Sequence, residues 1–460
     1  MKYELTKQQT LIISTIKSEL NGQIILVNAA AGCGKTSTSQ AVVEALHPKK
    51  GLYTAFNKAI VMEGKEKFTE NMDCRTLHSL ALSFVRPKLN IEDFTYLCIK
   101  EKLSYPNKMK IIRAMDEFYR SSSSDMDEYL TELLSEDPKL IPITIKYIEQ
   151  MVDDKVAPTF NFLLKYFHLL LHEGQIEVKY DLVILDEIQD STGVALEIFK
   201  LLTSPKKLGL GDPHQGIYGF MNLVNGFEIL KSTATLELTY SFRCSQEIAS
   251  RVQDFGKKYL SKGFEFEGTE TPIEDGLTAY ITATNAFIIL RINELHRQGK
   301  GYILTRPVKD IFACPLALVT AAAGKEVYHK RYKFLEKERK NFALSNHKSF
   351  FSYLKSEVKD DEIHAAIDLL MRFKQNGINI WDVLADAKKA KKDKSTTVGT
   401  FFSLKGLEYS TVYIENDLNT KVTEIIEDGG PADDGQLTYM KGAYVATTRA
   451  RKHLKNCKFL

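Results

Sequence analysis

Apolar positions in this chain follow two patterns. Ile24-Ile25-Leu26-Val27 and Leu182-Val183-Ile184-Leu185 are short unbroken apolar runs, as expected of strands buried on both faces of a parallel sheet. The first runs into the small and glycine-rich stretch Asn28 to Gly34 and then a helix from Lys35, and the second ends in Asp186-Glu187. Strand, loop and helix in that order build an open parallel α/β sheet, whose ligands sit at the C-terminal strand ends. A second α/β unit is read from Leu236 onward, with Tyr302-Ile303-Leu304 and Thr411-Val412-Tyr413-Ile414 as strands. Elsewhere the period turns helical. Residues 87–178 are rich in Leu, Tyr and Lys, with Phe160 to His172 as the clearest helix and Ser121-Ser122-Ser123-Ser124 as a loop. Residues 311–395 form a second helical, Lys-rich stretch ending in Lys388-Lys389-Ala390-Lys391-Lys392-Asp393-Lys394. The fold class predicted is α/β with two parallel-sheet cores, each interrupted by a mainly helical insertion. The first core takes 1–86 and 179–235 with insertion 87–178, and the second takes 236–310 and 396–460 with insertion 311–395.

Composition narrows the class without naming a ligand. A chain of 460 residues with 44% hydrophobic and 26% charged residues is globular and large enough for several domains. The net charge of +3 leaves room for a locally basic groove but does not announce one. Cysteines 33, 74, 98, 244, 314 and 457 form no Cys-x-x-Cys pair and no zinc spacing. Scattered thiols, no signal peptide at Met1-Lys2-Tyr3-Glu4 and no long apolar run predict a soluble intracellular protein without a membrane partner. The lysine run at 388–394 reads either as a solvated helix end or as a phosphate contact.

Two loops carry the chemistry. Ala29-Ala30-Ala31-Gly32-Cys33-Gly34-Lys35-Thr36 lies between a strand and a helix. Small residues there let backbone N–H groups close on phosphate oxygens. Lys35 then neutralises the outer phosphates and the Thr36 hydroxyl reaches Mg²⁺. Ala29 stands where the strict pattern has its first glycine. At the second strand end, Asp186 is assigned to the metal and Glu187 to the attacking water, since ATP hydrolysis needs both carboxylate tasks.

With these loops in place, the chain resembles the UvrD/Rep-like superfamily 1A helicases, closest in texture to the F-box DNA helicase group, although no F-box is present. The resemblance covers both cores in order, about half of the chain, and implies two RecA-like cores with ATP and Mg²⁺ as cofactors. Leu5-Thr6-Lys7-Gln8-Gln9 resembles the adenine-reading motif, with Gln9 as its glutamine. Thr54-Ala55-Phe56-Asn57-Lys58-Ala59 and Cys74-Arg75-Thr76-Leu77-His78-Ser79 resemble two DNA-contacting motifs, which assigns Phe56, Asn57, Lys58, Thr76 and His78 to DNA, with Phe56 equally readable as core. Gly211-Asp212-Pro213-His214-Gln215-Gly216-Ile217-Tyr218-Gly219-Phe220 resembles motif III. There the resemblance makes Gln215 the γ-phosphate sensor and stacks Tyr218 and Phe220 on bases. The family's arginine after that aromatic is Met221 here.

In the second core, Leu238-Thr239-Tyr240-Ser241-Phe242-Arg243 resembles motif IV, with Phe242 at the adenine-stacking place and Arg243 at a γ-phosphate place. Ser37, after the phosphate-loop threonine, stands where several relatives carry an arginine stacked on the base. Thr305-Arg306 resembles a weaker motif that makes Arg306 a DNA contact. Ser403-Leu404-Lys405-Gly406-Leu407-Glu408-Tyr409 resembles motif V, placing Gly406 and Glu408 near the ribose and triphosphate, with Phe402 replacing the family's histidine. Tyr444-Val445-Ala446-Thr447-Thr448-Arg449-Ala450 resembles motif VI, with Arg449 as the second arginine of the cleft. The resemblance implies an ATP-dependent DNA helicase or translocase travelling 3′→5′. It is expected to act as a monomer on single-stranded DNA and on junctions of single and double strands, among replication, repair or recombination proteins. An ATP-gated remodeller that displaces bound protein without separating strands would carry the same core motifs. A P-loop kinase would leave Arg243, Lys405-Gly406 and Arg449 unexplained.

Overall fold

The two apolar runs are central strands of one six-stranded parallel sheet. This computed structural model describes residues 4–55, 58–221 and 223–460, apart from the side chain of Phe220. They divide into two compact units, Met1–Thr239 and Tyr240–Leu460. In the first unit β1 is Ile24–Ala29, β2 Gly51–Ala55, β3 Met72–Cys74, β4 Leu182–Asp186, β5 Lys206–Gly211 and β6 Ala234–Leu238, in the order β3-β2-β4-β5-β1-β6. All five pairings are parallel. Every residue of β4 is buried, which is why its sequence is apolar without alternation.

Helices Lys7–Ser18, Lys35–Leu46 and Lys58–Lys67 cover one face through Ile12, Ile16, Val42, Val43 and Val61. Helices Leu77–Val85, Phe160–His172 and Gly193–Leu201 cover the other through Leu80, Phe167, Leu196 and Phe199. Doubly covered parallel strands leave only the strand ends for chemistry. Between β3 and β4 the helices Tyr105–Arg120, Met126–Leu133 and Ile141–Val152 close over their own core with Phe162, around Ile111, Phe118, Leu130 and Tyr147.

The chain enters the second unit later than the apolar pattern alone indicates. Leu236 lies inside β6, which runs parallel to β1 in the first sheet. β6 alternates half-buried and exposed positions until Leu238. It is an edge strand with little apolar signal, so the boundary read at 235/236 falls within it.

In the second unit β7 is Tyr240–Ser245, β8 Glu267–Thr269, β9 Thr278–Thr282, β10 Ile303–Leu304, β11 Thr396–Thr400, β12 Tyr409–Ile414 and β13 Ala450–Lys455. Five of them form a parallel sheet in the order β10-β11-β9-β12-β13, and β7 pairs with β8. Between β10 and β11 the chain is helical, and one continuous core joins these helices to the sheet-covering helix Asn285–Arg297 through Ile288, Ile292, Leu318, Leu354, Ile367 and Phe373. The lysines of the 388–394 run are exposed, while the Lys391 carbonyl accepts a bond from Tyr302 N at 3.0 Å. Both sheets with their helices are RecA-like α/β cores. Among the described residues no helix is long and apolar enough to cross a membrane.

Candidate nucleotide and nucleic-acid sites

The phosphate loop leaves β1 at Ala29 and turns at Gly32 and Gly34, whose φ angles are +75° and +82°. A residue with a Cβ is strained at such angles, so the glycines allow the turn. Helix Lys35–Leu46 then opens on Gly34 with no side-chain cap, leaving its first N–H groups facing the loop. Ala30 N donates to Leu238 O at 2.9 Å and anchors the loop to β6. Ala31 and Cys33 are buried, Gly32 and Thr36 are half-buried and Ser37 is exposed. This is a cradle suited to an anionic oxygen.

Lys35 and the acids of β4 lie together. Lys35 Nζ donates to Glu187 Oε1 at 2.6 Å, with both side chains under one-fifth exposed. Burial would lower the Lys35 pKa, but the Glu187 and Asp186 carboxylates outweigh it and hold the ammonium well above its ordinary value. Asp186 is buried, which raises its pKa against the opposing pull of Lys35. Tyr53 donates its hydroxyl to Asp186 Oδ2 at 2.5 Å, and Glu187 N donates to Oδ1 at 2.9 Å. Glu187 adopts φ +55°, in the left-handed region. The Thr36 hydroxyl and Asp186 carboxylate are hard oxygen donors of the kind magnesium takes alongside water and phosphate.

From Glu187 a chain of hydrogen bonds runs to motif III. Gln189 Nε2 donates to Glu187 Oε2, and Gln189 Oε1 accepts from Asp212 N at 3.0 Å. Asp212 Oδ2 accepts from Gln215 Nε2 at 2.7 Å. A Cβ on Gly211 would stand 2.2 Å from Gln189 Oε1, so only glycine admits that amide. Tyr218 follows, half-buried, its pKa pushed up to about 12 by burial and by the nearby Asp190 and Glu187. Sequence reading missed Gln189, Asp212 and Tyr53 as members of this site. The first two lie inside motifs it quoted, whereas Tyr53 is an ordinary strand tyrosine with no local signal.

Gln9 is buried at 4% exposure. Its Oε1 accepts from Thr6 N at 3.0 Å in a capping box, and its Nε2 donates to Thr38 Oγ1 at 3.1 Å. Each amide atom of Gln9 thus has one bond within the first unit. Of the DNA candidates, Lys58 is exposed at the start of its helix and Thr76 caps helix Leu77–Val85. His78 is half-buried against Phe160, with ring centroids 6.4 Å apart. Burial lowers the His78 pKa, and the Arg120 charge lowers it further against the opposing effect of Asn161. Phe56, Asn57 and the side chain of Phe220 lie outside the described residues.

In the second unit Phe242 is 47% exposed and meets Tyr240 edge-on. Arg243 Nε pairs with Glu408 Oε2 at 2.5 Å and its Nη1 donates to Thr448 O at 3.3 Å. Glu408 also pairs with Arg451, which in turn holds Asp275. Burial would raise the Glu408 pKa, but Arg243 and Arg451 keep it below the ordinary value. Gly406 turns at φ +88°. Arg449 is 1% exposed, and its guanidinium donates to Val445 O, Leu407 O and Thr448 Oγ1. Burial, then the like charge of Arg243, bring its pKa down to about 10. The second unit thus brings Arg243, Glu408 and Arg449 together around Thr448, while Arg306 is exposed after β10.

A parallel sheet with a glycine-turned phosphate cradle and a lysine–acid pair defines a P-loop core of the RecA-like class. Residues 13–221 match the AAA domain family. Across 98% of its length the chain is 26% identical to F-box DNA helicase 1 of Gallus gallus, covering 49% of that protein. It is 25% identical, again over 98% of its length, to F-box DNA helicase protein 1 of Schizosaccharomyces pombe, covering 57% of it. The chain thus spans about half the length of these relatives, and the relation to the superfamily 1 helicases read from its motifs is borne out.

Proposed function

We propose that the chain is an ATP-dependent DNA motor that moves on single-stranded DNA, 3′→5′, and unwinds duplex or displaces bound protein. The observation that carries this reading is the unbroken chain Lys35–Glu187–Gln189–Asp212–Gln215, which joins the phosphate loop to the Tyr218 loop. One hydrogen-bonded network thereby serves both a phosphate cradle and an aromatic suited to base stacking, which contributes about 1–3 kcal/mol per base and ignores sequence. Lys35 neutralises the outer phosphates, Glu187 takes the proton of the attacking water, and Gln215 relays the phosphate state toward Tyr218. Thr36 and Asp186 hold the magnesium, which screens phosphate charge when bound. Arg243 and Arg449 are the guanidinium groups that stabilise the charge spreading during phosphoryl transfer, Phe242 serves the base, and Gly406 and Glu408 serve the ribose and triphosphate. The partners are single-stranded DNA and its junctions with duplex. The names of both similar proteins, DNA helicases, support the same reading.

The test is DNA-stimulated ATP hydrolysis, followed by unwinding of duplexes with a 3′ or a 5′ single-stranded tail. Wild type is expected to hydrolyse ATP with single-stranded DNA and to open the 3′-tailed duplex. Lys35→Ala and Glu187→Gln are expected to lower turnover at least a hundredfold while the protein stays folded by circular dichroism. Full turnover in either folded variant would remove the assignment. Displacement of a bound protein without opening of either duplex would favour a remodeller.

A further inference from the structure

Arg120 is the last residue of helix Tyr105–Arg120, in the helical insertion, yet its side chain points to motif III. Its Nη1 donates to Met221 O at 3.2 Å, and its Nε pairs with Asp116 Oδ2 at 3.0 Å one turn earlier. Asp116 Oδ1 accepts from Asn161 at 2.7 Å, and the Arg120 charge is felt at His78. One guanidinium thus lies between a DNA candidate of the 74–79 motif and the end of the motif III loop. Its side chain is 30% exposed, so it is held in place and still reachable.

The backbone around it is fixed from two sides. The buried Lys165 donates to Ser121 O at 3.1 Å and to Ser121 Oγ at 3.3 Å, and it also bonds Ser123 O. Gly193, seven residues after Asp186, packs so closely that a Cβ there would stand 2.7 Å from Ser122 N. Val224 N donates to Ser191 O at 2.7 Å, tying the segment after the acids to the segment after Met221. Arg120 therefore sits at a rigid junction between the insertion, the loop after the acids and the motif III loop. Position 221 carries a thioether rather than a cation.

We propose that Arg120 is a phosphate-binding residue of the single-stranded DNA surface formed by His78 and the Met221 turn, supplying from the insertion the guanidinium that position 221 lacks. A cation anchored by a carboxylate and a carbonyl pays little conformational entropy on meeting a backbone phosphate. This inference rests on the DNA-motor reading and adds a residue to it.

The experiment measures binding of a fluorescein-labelled oligodeoxythymidine by anisotropy over a range of salt concentrations. Compared with wild type are Arg120→Gln, Arg120→Lys, and Arg120→Gln combined with Met221→Arg. Each phosphate contact to a single strand contributes about 0.7 to the slope of log affinity against log salt. Arg120→Gln is expected to weaken binding about tenfold at low salt and to flatten the slope by about that amount. Arg120→Lys is expected to keep the slope, and Met221→Arg to restore it in the Arg120→Gln background. A merely structural role would weaken binding without altering the slope, so an unchanged slope in Arg120→Gln overturns the proposal. Failure of Met221→Arg to restore the slope also overturns it. Wild type that does not bind the oligonucleotide would instead sink the DNA-motor reading itself.

Discussion

Arg243 and Arg449 carry the same guanidinium into two different environments. Arg243 has a side chain 15% exposed and is paired with a carboxylate, whereas Arg449 is buried and bonded to carbonyls of its own unit. Removing the first leaves Glu408 still held by Arg451. Removing the second takes away its bonds to Val445 O, which keeps Thr448 Oγ1, and to Leu407 O, and empties the space of a fully buried side chain. Arg243→Ala is therefore expected to abolish most DNA-stimulated turnover with a melting temperature close to wild type. Arg449→Ala is expected to lose turnover and to melt several degrees lower. Calorimetry beside a steady-state ATPase assay separates the two, and equal melting temperatures would contradict the burial described for Arg449. Motif reading placed these two arginines in one role. Their different surroundings are set largely by residues 407 and 408, some forty or more positions away from Arg449 and far from Arg243 in the chain.

At the scale of elements, helix Phe160–His172 holds the insertion against the first sheet. It buries Leu163 and Phe167, and with them Lys165 and His168. Burial and the nearby Lys165, His172 and Lys200 hold the His168 pKa down at about 3. An unfolded chain protonates the same ring near pH 6.5. Between those values the unfolded state binds a proton that the native state refuses, so stability falls as pH drops from about 6.5 toward 3 and is fully present above about 6.5. Urea unfolding at pH 7 and pH 5 is expected to show a loss on the order of 1 kcal/mol that His168→Leu removes. The same loss in the variant would exclude His168 as its source. This helix was legible in full because its apolar period is strong and Thr159 caps it. β6 was not, because an edge strand with alternating exposure carries no apolar run.

At the scale of the whole molecule, each of the two units has its own sheet and its own cores. The phosphate loop, the acids and motif III all belong to the first unit, and the two arginines belong to the second. A chain of residues 1–239 is expected to fold, to bind a fluorescent ATP analogue, and to show no DNA-stimulated hydrolysis. Robust turnover by that fragment would remove Arg243 and Arg449 from the chemistry. The order of the motifs made the two-core architecture readable, since each core announces itself by local loops at strand ends. The links between motifs were not readable. Tyr53 reaches Asp186 from the neighbouring strand, and Arg120 reaches Met221 across about a hundred residues of chain.

The missing side chain at Gly211 has a consequence for engineering. Because the Gln189 amide fills that space and bonds Asp212, the segment from Asp186 to Asp190 and the segment from Gly211 to Tyr218 interlock like two halves of a clasp. A chimera that imports either segment alone from a distant homologue would meet a foreign residue at the point of closest approach. Moving both segments together keeps the Gln189–Asp212 bond and the space at Gly211 matched to each other.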